Sequence, residues 1–338
     1  SAHLTGFDMV KVLYDLAHNN LQNLPPDLSD AFLEDVYRIL CGMAGKAGIY
    51  GDEVKIRKTG REAGIARSRY LNRLCEKIDE SMKRFRCGLD PAVIKLRNEN
   101  RQRIISYFGC SEADFDDYRW QLKHIIRDSA TLEKLVELSS DEKKAINRAR
   151  AAKLPFGITP YYVSLFDFQS DGLADMPVRA QVVPPMSYVD GILTRRDQPV
   201  FDLDFMREND TSPIDLITRR YPHIVVFKPY NTCSQICVYC QRNWEIDDVY
   251  SPGAMASKEK LDAAIDWIAA NPAVTEVLVT GGDPLVMTDA NIRYVLEGLA
   301  KIETVWRIRL GSRTPVALPQ RITDELADMI ASFQQPGR

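Results

Sequence analysis

Three cysteines, Cys233, Cys237 and Cys240, fall within eight residues of one another in a C-x3-C-x2-C pattern. Thiolates are the ligands that hold iron-sulfur clusters, and three on one tight loop can ligate three irons of a four-iron cluster while one iron stays open. The rival is a structural zinc site, which needs four ligands in a closed tetrahedron. The four histidines are His3, His18, His124 and His223, and none has ligand spacing to the triplet. His223 could supply a fourth ligand only from the far end of a predicted strand. The other cysteines, Cys41, Cys75, Cys87 and Cys110, are scattered through helical patterns and read as small buried hydrophobes.

A second cluster of chemistry-bearing residues is Gly281-Gly282-Asp283. Two glycines after a strand let the backbone approach a ligand, and a carboxylate can accept from an ammonium group. Alone such a triplet reads as a turn; beside a cysteine loop it reads as part of a site. The cysteine spacing, with Tyr239 just before the last cysteine, resembles the radical S-adenosylmethionine (SAM) superfamily. That resemblance implies a 4Fe-4S cluster whose open iron chelates the amino and carboxyl groups of SAM, and a 5'-deoxyadenosyl radical that removes a hydrogen atom from a substrate. It places Asp283 where a GGE-like motif binds the amino group of the cofactor, with Asp in the Glu position. Tyr239, Gly281, Gly282, Asp283, Ser312 and Arg313 are the candidate cofactor-binding residues.

The elements that must position these residues alternate in type. Short apolar runs at Ile224-Val225-Val226-Phe227, Glu276 to Thr280 and Val305 to Leu310 predict three strands. Helical patterns after Ser257 and Thr288 caps lie between them. Such alternation predicts a parallel sheet of right-handed crossover units, which binds ligands at the carboxyl ends of its strands. Both Gly281-Gly282-Asp283 and Gly311-Ser312-Arg313 fall at those ends. Upstream, residues 1 to about 150 predict a helical domain, with helices near 30–40, 66–86, 91–108 and 114–127 and a start signal at Ser140. Residues 151–220 are rich in Pro, Asp and Gly and predict a loop-rich connecting or wrapping segment, not a disordered tether. Residues 221–338 form the third expected region.

From about residue 116 onward the chain resembles the lysine 2,3-aminomutase family. The matching stretches are Tyr118 to Leu122, Ile158 to Tyr162, Asn209 to Pro213, Arg220-Tyr221-Pro222, Thr280 to Asp283 and Gly311 to Thr323. Residues 1–115 match no family named here. The resemblance implies pyridoxal 5'-phosphate (PLP) as a further cofactor, with Arg220 and Tyr221 at its phosphate and Arg242 on the substrate carboxylate. Arginine suits both tasks because its planar fork makes paired charged hydrogen bonds. The implied fold is α/β: a partial (β/α) radical SAM barrel, only its N-terminal half in this chain, preceded by an all-helical domain. The implied activity is an isomerase, a PLP-dependent 2,3-aminomutase acting on an amino acid.

Three departures from the family pattern bear on that expectation. The loop after Cys240 reads Gln241-Arg242-Asn243-Trp244-Glu245-Ile246, where lysine enzymes carry a basic run. A family arginine of the first strand falls on Ile224. The family barrel has about twice the strands predicted here, and no Gly-rich segment ending in the lysine that holds PLP occurs in the sequence. The expectation is therefore that a longer polypeptide or a second chain supplies the remaining strands. The alternatives are a radical reaction without PLP, modifying a peptide or small molecule, and a non-catalytic metal-stabilised scaffold.

Composition narrows the partners. A formal net charge of -3 gives no electrostatic reason to expect nucleic acid or an anionic membrane, and 45% apolar content suits a globular chain. No apolar run approaches the roughly 20 residues of a membrane span, so the expected location is the cytoplasm. The expected partner is an amino-acid-like small molecule, with a homo-oligomer possible.

Overall fold

Apolar residues recurring at three- and four-residue steps set the helices of the amino-terminal part. The computed structural model describes residues 8–25, 28, 30–46, 59–83, 86–170, 174–196, 204, 206–242, 245, 246 and 248–335. Residues 1–85 form one compact unit and residues 86–338 another. The first contains α1 (Met9–Ala17), α2 (Asp30–Met43) and α3 (Gly60–Met82). The Asp8 carboxylate caps α1 by accepting from the amides of Val10 and Lys11. On α2, Tyr37, Ile39, Leu40 and Met43 remain exposed.

The second unit opens with α4 (Pro91–Phe108), which has proline in its first turn and stops at Gly109, whose φ is 62°. A single helix expected over 114–127 is instead two short ones, Glu112–Asp116 and Tyr118–Lys123. Asp117 breaks them: its backbone is extended (φ -85°, ψ 119°) and its side chain caps the next helix at Arg119. Helix α5 (Ser140–Ala151) starts from a reciprocal Ser139–Glu142 capping box. Within the stretch expected to be loop-rich stands an eleven-residue helix, α6 (Met186–Arg196). Pro184 and Pro185 before it and Gly191 inside it are loop signals, but prolines ahead of a helix interrupt none of its hydrogen bonds. Phe156, Ile158, Tyr162, Val163, Phe166, Val182 and Val183 from the same stretch pack with Ile104, Phe115, Ile126 and Ile146 in one core.

The sheet consists of β1 (Ile217–Thr218), β2 (Ile224–Tyr230), β3 (Glu276–Gly281) and β4 (Arg307–Leu310), in that spatial order. β1 is antiparallel to β2, whereas β2, β3 and β4 are parallel. Crossover helices α7 (Lys258–Ala269) and α8 (Asp289–Ala300) start at the predicted Ser257 and Thr288 caps, and α9 (Asp324–Ala331) follows β4. Val225, Phe227, Val277 and Val279 pack against Leu261, Ala264, Ile268, Val295 and Leu299 of the crossover helices. Strand alternation therefore turns Val226, Lys228, Tyr230, Glu276, Leu278 and Thr280 to the opposite face. That face is charged: Arg307 and Arg309 of β4 both pair with Glu276. The β2–β3 register shifts between Phe227 and Tyr230, beside Pro229, which has no N–H for the ladder. The chain is thus mixed α/β, and no helix among the described residues is long and apolar enough to cross a membrane.

Candidate metal centre

The cysteine loop leaves the carboxyl end of β2 and is held from three directions. Upstream, Ile236 N donates to Gly157 O (2.9 Å) and Val238 N to Gln181 O (2.9 Å). Downstream, Asn231 N donates to Ala254 O (2.7 Å) and Thr232 Oγ1 to Asp248 O (2.8 Å). From the side, the end of β3 abuts the loop: Gly282 N donates to Tyr230 O and Asp283 N to Thr232 O, both at 2.8 Å. A Cβ on Gly282 would stand 2.2 Å from Thr232 O, so only glycine permits this approach, while Gly281 turns the chain with a φ of 104°. Gly157 sits tightly as well, since a Cβ there would meet Val249 Cγ1 at 2.5 Å.

None of the seven cysteines forms a disulfide. Cys75 and Cys87 are exposed rather than buried as expected: Cys75 lies on an exposed side of α3, and the Cys87 sulfur accepts from Leu89 N outside any helix. Burial most of all pushes the Cys233 thiol up, followed by the Asp283 carboxylate and then the ionised forms of Cys240 and Cys237. Burial likewise raises Cys240, with Cys237 adding to it and the Arg242 backbone N–H opposing it. Cys233 and Cys240 resist ionisation and are raised further by each other's or Cys237's charge, so the loop's thiols become thiolates together only around a cation. No three or more His, Cys, Asp or Glu among the described residues are grouped to hold a metal ion. His223 is fixed at the other end of β2, its Nδ1 on Ala273 O (2.9 Å), so it does not complete a zinc site with the triplet. A four-iron cluster takes one thiolate per iron, so its thiolates need not converge on a point. Between Cys233 and Cys237, Gln235 is buried with both side-chain polar atoms unpaired among the described residues. An iron-sulfur centre would offer that orphan donor its sulfides.

Arg313 faces the loop from the end of β4. Its Nη1 donates to Cys237 Sγ (2.7 Å) and to Tyr239 Oη, and its Nη2 donates to Gln181 Oε1 (2.9 Å). Asp283, 5% exposed, accepts from Ser312 Oγ, the amides of Arg313 and Thr314, and Leu285 N. The structure thus brings Cys233, Cys237, Cys240, Tyr239, Gly281, Gly282, Asp283, Ser312 and Arg313 together at the carboxyl ends of the strands.

Arg242 lies beside them but is already engaged. Buried at 6% exposure, it donates to Glu208 Oε1, to Glu245 Oε2 and to Asn231 Oδ1 (3.3 Å). Glu208 also binds Lys228, which reaches it from β2. Burial by itself pushes Glu208 up, but the Lys228 ammonium and the Arg242 guanidinium outweigh it and hold the carboxyl below its ordinary value. Arg220 and Tyr221 precede β2 and so stand at its opposite end. Arg220 donates to Thr211 Oγ1 (3.2 Å) and Met206 O (3.0 Å), and Tyr221 is exposed. Asn243 and Trp244 lie outside the described residues. Gln181, Glu208 and Lys228 were not singled out from sequence. Lys228 left a signal, since a lysine within an apolar strand needs a counter-charge.

Comparison with known proteins agrees with this geometry. Residues 227–333 match the model of the radical SAM superfamily. An uncharacterized KamA family protein of Methanocaldococcus jannaschii is 38% identical over 98% of this chain and 57% of its own length. The glutamate 2,3-aminomutase of Clostridioides difficile is 36% identical over 70% of this chain and 53% of its own length. The L-lysine 2,3-aminomutase of Bacillus subtilis is 35% identical over 66% of this chain and 44% of its own length. The chain is a radical SAM protein. It belongs to the KamA family, among the relatives of the lysine and glutamate 2,3-aminomutases. The likeness to the Methanocaldococcus jannaschii protein also reaches into the first 115 residues, where the sequence alone carries no recognisable family motif. The chain spans about half the length of the curated relatives it matches.

Proposed function

We propose that this chain forms the first half of a radical SAM barrel in a PLP-dependent 2,3-aminomutase that acts on an amino acid. The observation that carries the reading is the junction of the cysteine loop, the Asp283 turn and Arg313 at the carboxyl ends of three parallel strands. Further support comes from relatives named as lysine and glutamate 2,3-aminomutases. When bound, the cluster and SAM supply a 5'-deoxyadenosyl radical that takes a hydrogen atom from the substrate.

The chain's own residues hold and orient. Cys233, Cys237 and Cys240 hold three irons, and Tyr239, Gly281, Gly282, Asp283, Ser312 and Arg313 shape the SAM side of the loop. Arg220 and Tyr221 take the PLP phosphate at the other end of β2, a separation of about 20 Å for a seven-residue strand. Arg242 holds the substrate carboxylate, which then replaces Glu245 on the guanidinium. The remaining strands, with the lysine that holds PLP, come from a longer polypeptide or a second chain and pair with the free side of β4.

Anaerobic reconstitution with iron and sulfide tests the reading. The expected result is about four irons per chain and reductive cleavage of SAM, both lost in Cys237→Ala. A Cys237→Ala protein that still cleaves SAM would refute it. In the complete protein, a visible PLP absorbance that borohydride bleaches distinguishes the aminomutase from a radical enzyme without PLP. Zinc by elemental analysis, with no turnover, would instead mean a scaffold.

A further inference from the structure

The buried carboxylate at the β3–β4 junction has no free acceptor position. A carboxylate offers about four lone-pair sites. On Asp283, Oδ1 accepts from Ser312 Oγ (2.7 Å) and Leu285 N (3.1 Å), and Oδ2 accepts from Arg313 N and Thr314 N, both at 2.8 Å. A ligand ammonium would have to displace one of these donors; a displaced Leu285 or Arg313 N–H in this buried place would lose its partner, whereas Thr314 N would keep only Ser312 Oγ (3.0 Å). Two of the four donors belong to the peptide groups on either side of the Arg313 side-chain branch point. Their bonds fix where that side chain leaves the backbone. From there the guanidinium reaches Cys237 Sγ and Gln181 Oε1.

We infer that Asp283 is a positioning residue that aims the Arg313 guanidinium at the Cys237 sulfur, and is not the acceptor for the amino group of SAM. The inference rests on the proposal that the three cysteines hold a cluster. A cationic donor on a ligating sulfur stabilises the more electron-rich, reduced cluster and so raises its reduction potential. Arg313 is thereby an outer-sphere partner of one iron ligand, and Asp283 acts through it.

The experiment compares the complete wild-type protein with Asp283→Asn, Arg313→Gln, Ser312→Ala and the Asp283→Asn/Arg313→Gln double variant, each reconstituted anaerobically. Iron per chain in the wild type tests the cluster itself; a wild type without about four irons would remove the premise, separately from the inference. The midpoint potential is read by electron paramagnetic resonance. Affinity is measured for SAM and for its analogue lacking the α-amino group. Expected are more negative midpoints in Asp283→Asn and Arg313→Gln, with the double variant no further shifted than Arg313→Gln alone. The preference of Asp283→Asn for SAM over the deaminated analogue should match the wild type. If Asp283→Asn takes up no cluster, Ser312→Ala, which removes one donor to the same carboxylate, should shift the midpoint in the same direction. The inference is overturned if Asp283→Asn loses that preference by about tenfold or more with an unmoved midpoint. An unmoved midpoint in Arg313→Gln also overturns it, as does an unmoved midpoint in Ser312→Ala where Asp283→Asn is not loadable.

Discussion

Gly282 and Thr232 meet backbone to backbone, so that a Cβ on Gly282 would lie 2.5 Å from Thr232 N and 2.8 Å from its carbonyl carbon. The partner is main chain, which cannot rotate aside as a side chain does. Gly282→Ala should therefore push the cysteine loop off the end of β3. A loss of about 1–3 kcal/mol is expected, as for other overpacked sites, together with reduced iron uptake. Gly253, with nothing within 4 Å of its added Cβ, supplies the control: Gly253→Ala should change neither the thermal midpoint nor the iron content.

Glu208 balances two cations, the part-buried Lys228 and the buried Arg242, whereas the Glu245 carboxylate pairs with Arg242 and keeps 34% of its side chain exposed. Glu208→Ala should cost about 3–5 kcal/mol in urea melts, because it strands charges away from water. Glu245→Ala should cost about 1 kcal/mol or less.

Acid should reveal the same network. The folded-state value of Glu208 is depressed, so its stabilisation is present above the unfolded value, about 4.3, and is lost as pH falls through the lower folded value. Thermal melts of the cluster-free protein should show stability declining below that point. In Glu208→Gln the decline should be shallower; an identical slope would remove Glu208 from the account.

Arg220 and Arg219 are neighbours with different surroundings. Arg219 is committed to Pro222 O (2.9 Å) and lies over the Trp267 ring, whereas Arg220 binds the Met206–Thr211 turn. On the proposed PLP-dependent reading, Arg220→Gln should weaken PLP binding by about 10–100-fold, the range of a lost charge-assisted hydrogen bond. Arg219→Gln should leave it unchanged, as followed by visible absorbance.

β4 is the last strand in the order, and beside it Trp306 is 65% exposed next to a cavity of 660 Å³ lined by Val305, Ile308, Ile330 and Phe333. A free strand edge next to apolar surface recruits other strands. This chain should self-associate with rising concentration in light scattering, and Trp306→Lys should reduce this.

Much of the sheet was legible because its signals are local. The apolar runs at 224, 276 and 305 became β2, β3 and β4, and the hydroxyls of Ser257 and Thr288 cap the crossover helices. β1 escaped because two residues carry no period. The cysteine triplet was legible as contiguous chemistry. Its supports were not, since Gln181 and Glu208 act through contacts with residues 132 and 34 positions away. The saturation of Asp283 was equally hidden, because its donors on Ser312, Arg313 and Thr314 arrive from another strand end.

The carbonyls of Gly157 and Gln181 that receive the cysteine loop belong to chain made well before Cys233. Ribosomes deliver the amino-terminal part first. The acceptors of the loop are thus synthesised before the sulfurs, and the Arg313 side chain that bonds Cys237 follows Cys240 by 73 residues, so the site is closed by chain made both before and after it.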